Sequence, residues 1–73
     1  MKVKDLIKKL VDFDPELMVV RDGYEGGVTE ATEADEVKIA LNVNQEWYYG
    51  EHDVLHDDDE HQGHERVQAV RIY

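Results

Sequence analysis

A chain of 73 residues has room for one small core, because a domain near this length buries only ~60% of the surface its unfolded chain exposes. It has no cysteine, which excludes disulfides and thiolate metal ligands and leaves self-association, or a metal held by His and carboxylate, as support for that core. A formal net charge of −10 argues against binding a nucleic-acid backbone, which relies on Lys and Arg replacing condensed counterions.

Val3, Leu6, Ile7, Leu10 and Val11 recur at helical spacing with Lys4, Asp5, Lys8, Lys9 and Asp12 facing away, which predicts an amphipathic helix over Val3–Asp12. Pro15 disfavours helical geometry at Asp14, so Asp14, Pro15 and Glu16 are expected to turn the chain. Leu17–Arg21 is short and β-prone, and it ends at Asp22 and Gly23. Gly26 and Gly27 then supply positive φ without steric cost, leaving Tyr24 in a flexible loop.

Glu36–Asn44 alternates as a strand does, with Val37, Ile39, Leu41 and Val43 on one face and Lys38, Ala40 and Asn42 on the other. It runs into the aromatic cluster Trp47, Tyr48 and Tyr49. Residues 51–65 hold all four histidines and the acid run Asp57–Glu60, a density of like charge that predicts a long mobile loop, dispensable for folding. Val67–Tyr73 closes the chain as a strand, with Val70 and Ile72 expected inward and Ala69, Arg71 and Tyr73 outward.

These elements predict a single α+β domain over residues 1–73, one N-terminal helix packed on a three-stranded antiparallel sheet. The other sheet face, populated by Lys38, Ala40, Asn42, Ala69, Arg71 and Tyr73, would suit a second copy in a homodimer. No apolar run exceeds the four residues Leu17–Val20, so no membrane span or signal-peptide core is expected, and the expected location is the cytoplasm.

Lys2, Val3, Lys4, Asp5, Leu6, Ile7 and Leu10, with Asp14, Pro15, Glu16 and Val19, resemble the start of many small phage and prophage proteins. Gly23, Tyr24, Glu25, Gly26 and Gly27, then Leu41, Asn42, Val43 and Asn44, then Trp47, Tyr48, Tyr49 and Gly50, resemble one such group of unassigned function. The resemblance covers about two thirds of the chain and stops at residues 51–65. It implies a phage origin and a cytoplasmic accessory role, with no catalytic residues.

Three chemistries compete for the candidate residues. Adjacent aromatics cannot all face a core from an extended chain, so Tyr24, Trp47, Tyr48, Tyr49 and Arg71 are the candidate binding residues, with a host protein as the leading partner. The competing structural reading has Trp47 and Tyr49 sealing the open edge of the core. Mimicry of a nucleic acid is one form of the protein-binding reading, since thirteen of the eighteen acids sit in Asp22–Asp35 and Gln45–Glu65, where no Lys or Arg occurs. A second chemistry is a nucleotide-like small molecule stacked between Tyr24, Trp47 and Tyr48, with Arg21 or Arg71 supplying charge. The third is a metal held by His52, His56, His61 and His64 with the neighbouring acids. Without Ser or Cys, and with no Gly-rich phosphate loop before a helix, catalysis and a cofactor are not expected.

Overall fold

The computed structural model describes every residue from Met1 to Tyr73 and has the α+β class anticipated above, with one N-terminal helix and a three-stranded sheet, to which it adds a two-stranded hairpin. The chain divides into two compact units, Met1–Glu33 with Ile72–Tyr73, and Ala34–Arg71. No helix is long and apolar enough to cross a membrane.

The first unit opens with α1 (Val3–Leu10), whose first turn is fixed by the Asp5 carboxylate accepting the Lys2 backbone N–H at 2.9 Å. Asp5 in the first turn and Lys8 and Lys9 in the last suit the helix dipole. The helix ends as the Val11 N–H reaches Ile7 O, and the Asp14 carboxylate, accepting the Glu16 N–H at 2.9 Å, shapes the turn around Pro15. No helix residue is buried, and Leu6 alone is half-buried.

Of the strand expected over Leu17–Arg21 only its last two residues are strand: β1 is Val20–Asp22, which pairs antiparallel with β2 (Val28–Glu30) in the register Val20 with Glu30, Arg21 with Thr29 and Asp22 with Val28. The pair is a sheet of its own and not part of the larger one. Its turn closes through the Gly23 N–H on Gly27 O. A Cβ at Gly23 would stand 2.5 Å from Gly26 O, so the close backbone approach admits only glycine there. The reciprocal bonds between Glu33 and Tyr73 tie the end of the chain to this unit.

In the second unit β3 (Ala34–Ala40) is the central strand, flanked by β4 (Asp53–Val54) and β5 (Arg66–Ile72) in the order β4-β3-β5. β4 pairs antiparallel with β3, Ile39 opposite Val54 and Ala40 opposite Asp53. The Leu41 N–H donates to Glu65 O, and Arg71 reaches the Asp35 carboxylate at 3.6 Å, so β5 also runs antiparallel to β3. That register sets Val67 beside Ile39 and Ala69 beside Val37, all four of them half-buried.

The expected facing of the last strand is therefore reversed: Val67, Ala69 and Arg71 share the face of Val37 and Ile39, whereas Val70 and Ile72 are exposed on the other. Alternation along β5 is read correctly from sequence, but which set turns inward depends on a register that the strand alone does not specify. Ala40 is the one fully buried residue in the chain.

Residues 51–65, expected as a mobile loop, carry β4 and a set of anchoring bonds. Besides the β4 pairing, Leu55 N–H donates to Lys38 O, His64 Nδ1–H donates to Leu41 O, and the Arg66 guanidinium donates to Glu60 O. The acid run is itself folded into turns, with the Asp57 carboxylate accepting the Asp59 N–H and the Glu60 carboxylate accepting the His56 N–H. Like charge opposes compaction only while the carboxylates lack donors, and here two of them take up local backbone N–H groups.

Candidate functional site

The candidate site is the loop between β3 and β4. Its base is set at Asn42, which takes a left-handed conformation (φ 56°) that turns the chain sharply after Leu41. The Asn42 N–H donates to His52 Nδ1 at 3.0 Å, which requires that nitrogen to be unprotonated and so fixes the proton of a neutral ring on Nε2. Above it the Val43 and Asn44 N–H groups both donate to Glu51 O, and the Asn44 side-chain amide donates to Gly50 O at 2.9 Å.

These bonds form a closed neck from which residues 45–49 project. The Tyr49 N–H returns to Glu46 O, turning the tip over on itself. Trp47 and Tyr48 meet edge to face with ring centroids 5.6 Å apart, and Tyr48 and Tyr49 are tilted at 5.1 Å, so the three rings form one continuous cluster. Trp47 is 92% exposed, Tyr48 63% and Tyr49 62%. The reading in which Trp47 and Tyr49 seal the core edge is thereby corrected: the neck carries both rings away from the sheet. Glu46 and Glu51 flank the cluster, and the nearest cations in sequence lie beyond residues 45–65.

The other candidate binding residues are placed differently. Tyr24 stands at the tip of the β1–β2 turn in the first unit, 94% exposed. Arg71 is engaged with Asp35 on the sheet face of the second unit and so is committed to an ion pair. A depression of about 400 Å³ in the second unit is lined by Lys38, Leu55, His56, Asp57 and Asp58, and none of the residues expected to hold a small molecule contributes to it.

The four histidines do not assemble a metal centre: no group of three or more His, Asp or Glu side chains converges in a way that could hold an ion. His52 Nδ1 is occupied by the Asn42 N–H, His61 Nε2 lies 2.8 Å from the Asp53 carboxylate, His64 Nδ1 is bonded to Leu41 O, and His56 lines the depression. The four-residue spacing of His52 and His56 would align them on a helix, but the segment is not helical, so the spacing aligns nothing. The rings of His52, His61 and His64 are thus taken up in hydrogen bonds with three separate partners. Zinc added in excess is accordingly expected to leave the melting temperature unchanged, because only a ligand that prefers the folded state raises it. A saturable rise, lost in His52→Ala or His61→Ala, would reinstate the metal reading.

Sequence reasoning missed Asn44, Gly50 and Glu51, the residues that make the neck. Asn42 and Asn44 on either side of Val43 carried the available signal, since Asn tolerates left-handed backbone and bonds locally through its amide. No family model, curated protein or solved structure matches the chain.

Proposed function

We propose that this chain is a protein-binding module of phage type, which presents Trp47, Tyr48 and Tyr49 as a preassembled contact to a host protein in the cytoplasm. One observation carries the reading. Three aromatic rings, Tyr48 packed against both Trp47 and Tyr49, project into solvent on a loop whose neck is closed by backbone and Asn44 hydrogen bonds. Aromatic side chains lose little rotamer entropy on binding and bury large areas, and a tip already held in place lowers the ordering cost further. The acids around it select a partner surface with a basic rim, such as one that ordinarily receives a nucleic acid. The resemblance of Gly23–Gly27, Leu41–Asn44 and Trp47–Gly50 to small phage proteins supports an accessory role of this kind.

The test uses Trp47→Ala and Tyr48→Ala together. Because both side chains project from the sheet, each variant should unfold within about 0.5 kcal/mol of the parent, as exposed substitutions generally do. Capture of the partner from host lysate should weaken by about 2 kcal/mol or more for at least one of them, the behaviour of an interface hot spot. Variants that fold normally and retain every captured partner would refute the proposal. Quenching of Trp47 fluorescence by a nucleotide at micromolar concentration would instead favour base stacking on the same tip.

A further inference from the structure

Exposed apolar side chains are concentrated in the first unit, where no residue is buried and Val3, Ile7, Leu10, Phe13, Val20 and Val28 are each about half exposed or more. An eight-residue helix and a two-stranded hairpin are both marginal alone in water, so this unit needs a cover from the moment it folds.

Charge identifies the cover. The apolar stripe of α1 is flanked by Lys4 on one side and by Lys2 and Lys9 on the other, so laying two such stripes together would set Lys against Lys. Residues 11–73 carry four cations against seventeen acids, a net −13, so the surface complementary to the helix lies on the same chain. The register of the hairpin makes the match specific: Val20 opposite Glu30 and Asp22 opposite Val28 put two valines and two carboxylates on one face. Both hairpin strands are exposed throughout, so the chain's own helix does not cover that face.

We infer that the protein is a homodimer in which the α1 stripe of each copy docks on the Val20, Asp22, Val28 and Glu30 face of the other. The contact is reciprocal, so a two-fold axis closes it without leaving a free face to extend a filament. Lys4 and Lys9 meet the carboxylates of Asp22 and Glu30, while Val3, Ile7 and Leu10 cover the valines. This surface is separate from the aromatic tip, and the two are tested independently.

Analytical ultracentrifugation of the full chain should return a dimer, with a melting temperature that rises with protein concentration. Lys4→Glu with Lys9→Glu, and separately Asp22→Lys with Glu30→Lys, should each weaken dimerisation about tenfold or more, since like charges then face each other. All four positions are exposed, so the substitutions spare what little interior the chain has. Combining the four reversals should restore affinity toward that of the parent. A monomer that melts cooperatively at a concentration-independent temperature overturns the inference, as does a dimer indifferent to either pair of reversals.

Discussion

Replacing Asp53–His64 with a Gly/Ser linker should abolish the cooperative unfolding transition. The deletion removes β4, and with it the pairing of Val54 with Ile39 and of Asp53 with Ala40. It also removes the Leu55 bond to Lys38 O, the His64 bond to Leu41 O and the carbonyl of Glu60 that receives Arg66. The second unit would be reduced from three strands to two, and an isolated two-stranded pair is marginal in water. Half-buried Ile39 would lose its neighbour on one side at the same time. Small domains hold only about 5 kcal/mol or slightly more against unfolding, so losing a strand and several hydrogen bonds removes most of it. Circular dichroism during urea titration distinguishes the outcomes: a gradual, sloping loss of signal is expected, and a sharp transition at the parental midpoint would show that residues 53–64 are dispensable after all.

That expectation inverts the one composition suggests, and the inversion shows what a sequence of this kind reveals. Periodicity located α1 to within two residues, because the repeat of Val3, Ile7 and Leu10 is a property of the helix alone. It located β5 to within one residue, but the strand expected over Glu36–Asn44 coincides with β3 only at Glu36–Ala40, because the left-handed turn at Asn42 ends the pairing after Ala40. β4 left no trace, because two residues embedded among acids and histidines have no period to read. The hairpin partner β2 leaves a legible one: Val28, Thr29 and Glu30 follow a glycine-rich turn after Val20–Asp22, the pattern of a short hairpin.

The candidate site divides in the same way. That the three aromatics could not all be buried follows from their adjacency, and the structure places them outside. That Trp47 itself is outside follows from Asn42, Asn44 and Glu51 closing a neck beneath it, a set of bonds between residues up to ten apart. The histidines illustrate the converse. Their clustering in sequence suggests metal, yet the His52, His61 and His64 rings are drawn to three different partners, and convergence in space is what an ion requires.

Ala40→Leu should cost more than removing the largest side chain in the protein. Ala40 is fully buried, with Asp53 opposite on β4 and the end of β3 continuing directly into the turn at Leu41 and Asn42. Its methyl group has no surface left open to solvent. Three further carbons at a fully enclosed position must displace their neighbours, and overpacking of this kind costs about 1–3 kcal/mol. Ala40→Gly should destabilise by about 0.5–1 kcal/mol, through the added freedom of the unfolded chain. Trp47→Ala, at 92% exposure, removes far more surface but almost none that folding has buried, and should fall near zero. The order Leu, then Gly, then the Trp47 variant, read from urea midpoints at constant slope, follows from placement and not from side-chain size. An Ala40→Leu chain with the parental midpoint would mean that the centre of β3 has space to fill, and a Trp47→Ala chain that unfolds earlier than Ala40→Leu would return the aromatic tip to the core.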